Sequence, residues 1–144
     1  MSNLDDKYQK TLDYLYTFVD YSLQHTFRYS PEKFNLERMR DFNHALGDPH
    51  TKYPVIHIAG TKGKGSVAAL CASALQAAGY IVGLYTSPHL DDYAERIQIN
   101  GGQIPHDELI SGVEELKPLI ESIPELTTFE ITTGLCFDYF AHQG

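Results

Sequence analysis

The chain has 144 residues, 42% of them apolar, and carries a formal net charge of −8 at pH 7. This length and composition predict one globular domain with its own hydrophobic core. The sequence has no run of about eighteen apolar residues and no apolar stretch at the N-terminus, which argues against a membrane span and a secretory signal. The acidic balance argues against nucleic acid as the main partner.

Cys71 and Cys136 are the two cysteines of the chain. They lie far apart in the sequence, and each falls in a segment whose apolar residues have helical spacing. This usage favours reduced thiols in the core of a cytoplasmic protein over a disulfide or a metal site.

Two helices are predicted before the central motif of the chain. The first begins near Asn3, which can cap a helix, and its apolar stripe continues to Leu23. Ser30 and Pro31 then break the chain. The second helix is short and ends at Gly47, and its apolar residues are Leu36, Met39, Phe42 and Leu46.

The segment from Val55 to Gly79 has the pattern of a strand, a glycine-rich loop and a helix. Val55–Ala59 is a short apolar run with β-branched residues, which is typical of a buried strand. The helix that follows has apolar residues at helical spacing and a glycine stop. The loop between them combines three glycines with two lysines and two hydroxyl side chains, namely Gly60, Thr61, Lys62, Gly63, Lys64, Gly65 and Ser66.

This loop predicts a phosphate site. Glycines let backbone N–H groups converge on an anion, and the helix directs its unpaired N–H groups and its positive dipole end to the same place. The general P-loop pattern would require glycine at Ile58 and a hydroxyl at Gly65, and here the hydroxyl comes one residue later, at Ser66. The alternative is a glycine-rich turn without a ligand, against which the mutual repulsion of Lys62 and Lys64 argues.

Ile81–Tyr85 is predicted as a second buried strand, which would give a right-handed βαβ unit with a parallel strand pair. The predicted fold is therefore α/β, a partial P-loop (Rossmann-like) domain with a mostly parallel sheet and covering helices. Ligands of such sheets bind at the carboxyl ends of the strands. Ser87 would then face the same crevice as the phosphate loop, although a turn role before Pro88 is an alternative.

The C-terminal part of the sequence predicts a hairpin and two helices. Ile97 to Ile104 has the alternation and the central turn of a small hairpin. A helix follows from Asp107, with Pro118 causing a kink or a restart. Thr127 and Glu130 have the spacing of a capping box, which opens a last, largely buried helix.

Several stretches of this sequence resemble the folylpolyglutamate synthase and dihydrofolate synthase family, a branch of the Mur ligase superfamily. The resemblance extends from about Phe34 to Phe140, and one departure is Lys62, where the family usually has asparagine. The matching stretches are NLERM at 35–39, the loop GTKGKGS at 60–66, YTSPHL at 85–90, ERI at 95–97 and TFE at 128–130.

The resemblance implies an ATP-dependent ligase that adds L-glutamate to folate or dihydropteroate through an acyl phosphate. Lys64 would be the catalytic lysine in a nucleotide-binding loop from Gly60 to Ser66, and Ser87 and Ser66 would be ligands of Mg²⁺. The substrate would contact two segments, for which a plain loop and a helix cap are the respective alternatives. Their residues are Glu32, Lys33 and Phe34 in the first and Thr127, Thr128, Phe129 and Glu130 in the second.

The resemblance also implies that residues 1–144 are the N-terminal part of the ATP-binding domain of a longer ligase. We expect this part to fold, to bind ATP weakly, to show no ligase turnover and to self-associate through an unpaired sheet edge. Two other functions stay open from the sequence. One is a Mur-type ligase of cell-wall precursors, and the other is a nucleotide-binding module without catalysis.

Overall fold

The computed structural model describes residues 3–18 and 36–143. The end of the predicted first stripe at Leu23 and the predicted substrate segment Glu32–Phe34 lie outside the described residues. In chain order the elements are α1 (Asn3–Tyr16), α2 (Glu37–Ala45), α3 (Lys64–Ala77), β1 (Gly83–Tyr85), β2 (Ile97–Ile99), β3 (Gly102–Gln103), α4 (His106–Ser122) and α5 (Thr128–His142). Short 3₁₀ turns occupy Pro49–Thr51 and Tyr93–Arg96.

α1 begins at the predicted Asn3 but ends at Tyr16, before the predicted end of its stripe at Leu23. α3 ends where local chemistry predicts. α3 ends in a left-handed glycine, Gly79, with φ of 90°. Its N–H donates to the Gln76 carbonyl at 2.9 Å, and the Tyr80 N–H donates to the Leu75 carbonyl at 3.1 Å, which is the Schellman arrangement. α4 runs through Pro118 as one helix, so the alternative of a restart at this proline is not seen.

The core forms around α5, and α1, α2 and α4 pack against it. Gly134 of α5 faces the fully buried ring of Phe42 from α2, and Gly112 of α4 faces Leu135. At the other end of α5, the Phe140 ring lies against Gly83 of β1. The fully buried core residues include Leu15, Ile97, Leu109, Val113 and Ile131.

The sheet of the described residues is small and antiparallel, with the order β1–β2–β3. The predicted hairpin is confirmed: β2 and β3 are joined by Asn100 and Gly101, whose φ values of 49° and 79° suit a two-residue hairpin turn. The prediction of a mostly parallel sheet is not confirmed. β1 pairs with β2 in antiparallel register, and no strand precedes α3 among the described residues, so β1 has no parallel partner there.

The predicted strand Val55–Ala59 is wrong for this structure. Residues 54–60 have no regular secondary structure, and the side chains of Val55 and Ile56 are 55% and 65% exposed. An apolar run becomes a strand only when its N–H and C=O groups find a neighbouring strand. No strand of the described residues pairs with this segment, so the apolar pattern alone led to the wrong prediction.

The close contact between Gly134 and Phe42 yields a stability prediction. A Cβ at position 134 would lie 2.7 Å from Phe42 Cδ1, inside a core where an added carbon cannot be accommodated without strain. We expect Gly134→Ala to lower the free energy of unfolding by about 1–3 kcal/mol, as measured by urea denaturation.

Gly112→Ala is the matched control for this variant. Its Cβ would meet only the terminal Cδ1 of Leu135, at 2.6 Å, and that methyl group can rotate away. Both glycines lie inside helices, so both variants gain about 1 kcal/mol in helix propensity. The smaller packing cost at position 112 should leave Gly112→Ala closer to the wild type in stability. Equal stability of the two variants would contradict the packing described for α5.

Candidate nucleotide and substrate site

The predicted phosphate loop lies at the N-terminus of α3. Gly63 is the N-cap residue in the left-handed conformation, with φ of 78° and no side-chain cap, a geometry that costs little only for glycine. Within the described part of the chain, the N–H groups of Lys64, Gly65 and Ser66 donate to no other atom, and the first helical bond runs from the Val67 N–H to the Gly63 carbonyl at 3.0 Å. The loop therefore presents a row of N–H donors to solvent.

Lys64 folds back across this loop. Its Nζ donates to the Gly60 carbonyl at 2.7 Å, so the ammonium lies beside the N–H donors that follow Gly63. Lys62 is also exposed. In a chain of net charge −8, two ammonium groups beside a helix N-terminus form a local positive site that is suited to an anion.

Ser87 lies on the connection between β1 and β2. The connection is closed at its base by the Thr86 N–H, which donates to the Arg96 carbonyl at 3.0 Å, and the Ser87–Pro88 peptide bond is cis. Ser87 and Leu90 are exposed. The hydroxyl of Ser87 is therefore accessible just after the carboxyl end of β1, and its predicted position facing the phosphate loop stays a prediction.

The N-terminus of α5 has the predicted capping box. The Glu130 N–H donates to Thr127 Oγ1 at 3.1 Å, and the Thr127 N–H donates to Glu130 Oε2 at 2.9 Å. The other carboxylate oxygen of Glu130 forms an ion pair with Arg38 Nε at 3.5 Å. Arg38 lies on α2, which follows the predicted substrate segment Glu32–Phe34 in the sequence. The ion pair therefore connects α2 to the second predicted substrate segment, Thr127–Glu130.

Thr128 and Phe129 have different environments. Thr128 is fully buried, and its single hydroxyl hydrogen is shared between the carbonyls of Leu15 and Phe18, which lie 2.9 and 3.1 Å from Oγ1. Phe129 is 49% exposed, and its ring centroid lies 6.2 Å from that of Tyr85. Phe129 is thus a surface aromatic at the carboxyl end of β1, whereas the side chain of Thr128 is used inside the fold.

Tyr85 connects this aromatic pair to the core. Its hydroxyl makes a 3.1 Å hydrogen bond with Thr133 Oγ1, and burial raises the pKa of the phenol well above its usual range. Tyr85 is therefore a neutral, fixed support for Phe129. The residue directly after it, Thr86, opens the loop that carries Ser87.

The structure brings some predicted site residues together and leaves others apart. Phe129, Tyr85 and the start of the Ser87 loop meet at one end of β1. Over residues 3–18 and 36–143, no hydrogen bond or ion pair joins the loop 60–66 to Ser87 or to Thr127–Glu130. The roles of these residues in binding stay predictions.

The described residues supply only part of a magnesium site. Ser66 and Ser87 offer hydroxyl oxygens, which Mg²⁺ accepts beside phosphates and water, but it usually also takes a carboxylate. In the part of the chain that is described, no group of three His, Cys, Asp or Glu side chains could hold a metal ion. Among the described residues, Ser66 and Ser87 are therefore candidate ligands for Mg²⁺ that arrives with a nucleotide.

Three charged residues of this region had no role assigned from the sequence. Arg38 pairs with Glu130, Glu95 accepts hydrogen bonds from the Ser87 loop, and Arg96 is buried beneath that loop. All three lie in the stretches NLERM and ERI that matched the family. The only available signal was therefore resemblance, because neither stretch has a spacing that predicts a tertiary contact.

A glycine-rich loop at the N-terminus of α3 and a polar loop at the end of β1 define this chain as a candidate phosphate-binding protein, built from helices around a small antiparallel sheet. None of its described helices is both long and apolar enough to cross a membrane. No family model matches the chain.

Individual relatives do match. The chain is 42% identical over 114 residues to a dihydrofolate synthase/folylpolyglutamate synthase of Bacillus subtilis (strain 168), which covers 76% of this chain and 26% of the relative. Among solved structures, a Mycobacterium tuberculosis folylpolyglutamate synthase complexed with ADP has a TM-score of 0.84 at 30% identity and covers 98% of this chain and 31% of that one. A folylpolyglutamate synthase complex with AMPPCP and folate has a TM-score of 0.81 at 33% identity, with 94% and 32% covered.

The chain is therefore homologous to the N-terminal portion of the folylpolyglutamate and dihydrofolate synthases, and the resemblance predicted from the motifs is confirmed. It spans about a quarter of the length of the curated relative and about a third of the solved chains.

Two carboxylates of the Ser87 loop respond to pH. Burial raises the pKa of Asp92, but hydrogen bonds from Tyr8, from the Ala94 N–H and from His106 outweigh burial and hold the pKa below its ordinary value. Hydrogen bonds from backbone N–H groups, above all that of Leu90, lower the pKa of Glu95. Both groups therefore favour the folded state when they are ionised.

We expect their stabilisation to be complete above about pH 5, where both carboxylates are ionised in the unfolded chain as well. It should be lost as the pH falls through the lowered pKa values of the folded state. Urea denaturation between about pH 3 and pH 6 tests this. Asp92→Asn should weaken the pH dependence, and a slope equal to that of the wild type would contradict the role of Asp92.

Proposed function

We propose that this chain is the nucleotide-binding portion of an ATP-dependent ligase that adds L-glutamate to folate or dihydropteroate through an acyl phosphate. The observation that carries the proposal is the loop 60–66, whose N–H donors and Lys64 ammonium lie together at the start of α3. The relatives named above include folylpolyglutamate synthases complexed with ADP and with AMPPCP and folate, which supports a nucleotide as the anion.

In this proposal the loop stabilises the charge that moves onto the β,γ-bridging oxygen when the γ-phosphoryl group is transferred to the substrate carboxylate. The N–H groups of Lys64, Gly65 and Ser66 donate to the phosphates. Lys64 exchanges its hydrogen bond to the Gly60 carbonyl for one to a phosphate oxygen. Mg²⁺, when it is bound with the nucleotide, would screen the remaining charge, with Ser66 and Ser87 as its protein ligands.

The substrate side of the proposal rests on Phe129. Its half-exposed ring can stack on a flat pterin, and stacking of two rings is worth about 0.5–1.5 kcal/mol beyond burial. Thr127 and Glu130 lie in the same turn, and the ion pair with Arg38 fixes the carboxylate of Glu130. Glu32, Lys33 and Phe34 are proposed as the other contact, on the strength of the resemblance.

The two alternatives predict different ligands. A Mur-type ligase would bind an amino-sugar precursor instead of a pterin, and a module without catalysis would bind nucleotide and no second substrate. The stretches at Ser87–His89 and Thr128–Glu130, and relatives that are named for folate, favour the folate ligase.

We propose a cytoplasmic location, as reduced cysteines favour, and self-association of the chain through the unpaired edge of β1. Ligase turnover by these 144 residues alone is predicted to be absent.

Nucleotide binding by the chain tests the proposed function. We expect Lys64→Ala to weaken AMPPCP binding about ten- to hundredfold, because a charge-assisted hydrogen bond is worth about 1.5–3 kcal/mol. Lys62→Asn should change the affinity by less than about fivefold, as expected for an exposed charge. Isothermal titration calorimetry in the presence of Mg²⁺ measures both affinities.

Lys117→Ala is the control for a general loss of positive charge, since this lysine lies on α4 and pairs with Glu114. If the wild-type chain binds no nucleotide, the proposed function is refuted. A larger loss for Lys62→Asn than for Lys64→Ala would refute the assignment of the phosphate lysine.

Phe129→Ala tests the substrate side. Because the ring is half exposed, we expect the melting temperature to change little while folate binding weakens by about two- to tenfold and AMPPCP binding stays the same. NMR titration with folate, dihydropteroate and an amino-sugar nucleotide measures the selectivity. Loss of nucleotide binding and of stability to the same extent would instead favour a structural role for Phe129.

A further inference from the structure

We propose that Glu95 and Arg96 are positioning residues that hold the segment Ser87–Leu90 in the geometry needed to meet a bound nucleotide. The inference rests on the proposed function, because it concerns the loop on which Ser87 lies. It assigns a role to two residues that do not themselves contact the phosphates.

The segment Ser87–Leu90 needs support from outside itself. It has no regular secondary structure, and Leu90 is among the most exposed apolar side chains of the chain. Exposed loops without internal packing sample many conformations. A hydroxyl on such a loop can help to hold an ion in fixed geometry only if the loop backbone is anchored.

Glu95 supplies the first anchor. Its carboxylate accepts the Leu90 N–H at 2.7 Å, and it accepts the Asp91 and Asp92 N–H groups at 3.1 Å each. The bond from Asp92 is the reciprocal half of the helix cap, in which the Ala94 N–H donates to Asp92 at 3.0 Å. Capping the 3₁₀ turn requires only the bond from the Asp92 N–H to Glu95. The additional bonds from the Leu90 and Asp91 N–H groups therefore tie the preceding loop to the same carboxylate.

Arg96 supplies the second anchor, from the buried side. The residue is only 3% exposed, its guanidinium lies 4.6 Å from the centre of the Tyr93 ring, and its Nε donates to His89 Nδ1 at 3.0 Å. The main-chain carbonyl of Arg96 also accepts the Thr86 N–H. Arg96 thus fixes the residue before Ser87 and the residue that follows Pro88.

The burial of Arg96 indicates that its contact with His89 serves function more than stability. Burying a charge is costly unless it is paired, and no carboxylate among the described residues forms an ion pair with Arg96. The cation–π contact with Tyr93 and the hydrogen bond to His89 offset only part of that cost. An arginine placed in this way is expensive for stability and is explained better by the loop that it orients.

Conservative variants separate positioning from folding. Glu95→Gln keeps the shape of the side chain but loses an acceptor oxygen, because an amide NH₂ cannot accept an N–H donor. Arg96→Lys keeps the charge and loses the planar group that reaches His89 while stacking on Tyr93. Glu115→Gln, an exposed glutamate on α4, is the matched control.

The test has two arms on the wild-type chain and these variants. NMR amide exchange should accelerate at Leu90, Asp91 and Asp92 in Glu95→Gln by about tenfold, with no change at amides of α5. Calorimetry should show that Mg²⁺ tightens AMPPCP binding to the wild type and that both variants lose most of this gain, while their affinity without Mg²⁺ stays within about twofold of wild type.

The outcomes separate failure of the positioning role from failure of the proposed function. If the wild type binds no nucleotide, or binds it without any gain from Mg²⁺, the proposed function fails and this inference fails with it. If the wild type shows the gain and both variants keep it, the positioning role is refuted while the proposed function stands. Unchanged amide exchange at Leu90 and Asp91 would refute the anchoring by Glu95.

Discussion

The close packing of small residues along α5 is the constraint on which the rest of the structure depends. Gly134 lets the Phe42 ring approach the helix backbone, and the hydroxyl of Thr132 bonds to Tyr93. Thr128 holds the end of α1 and the residues after it, because its hydroxyl lies within hydrogen-bond distance of the Leu15 and Phe18 carbonyls. Larger side chains at these positions would push α1, α2 and the 3₁₀ turn Tyr93–Arg96 away from α5. Cores are packed so densely that such shifts cannot be absorbed locally.

The same helix places the candidate site. Thr133 bonds to Tyr85 and Phe140 packs on Gly83, so α5 fixes the position of β1 at both of its ends. The strand end then determines where Thr86 leaves the sheet and where Phe129 meets Tyr85. The relation between the predicted substrate segment Thr127–Glu130 and the Ser87 loop is therefore a property of the core. The predicted phosphate loop depends instead on α3, which packs against β1 with most of its surface exposed.

Features encoded over a few residues were predictable, and features that need distant partners were not. The capping box at Thr127, the turn at Asn100–Gly101 and the glycine end of α3 are local, and all three are confirmed. The strand at Val55–Ala59 was predicted from an apolar pattern, but a strand exists only through pairing, and that pairing is not a local property. For the same reason the antiparallel partner of β1, and the contacts of Arg38 and Arg96, could not be read from spacing.

Two capping boxes show how local sequence reaches the tertiary structure. Glu130 caps α5 with one carboxylate oxygen and meets Arg38 of α2 with the other. Glu95 caps the 3₁₀ turn with Oε1 and holds Leu90 with Oε2. A carboxylate at the third position of a helix is already fixed by its cap, so it loses little further entropy when its second oxygen takes a partner. Both glutamates lie at the edges of the candidate site, and each converts a local signal that a sequence can reveal into a long-range contact that it cannot.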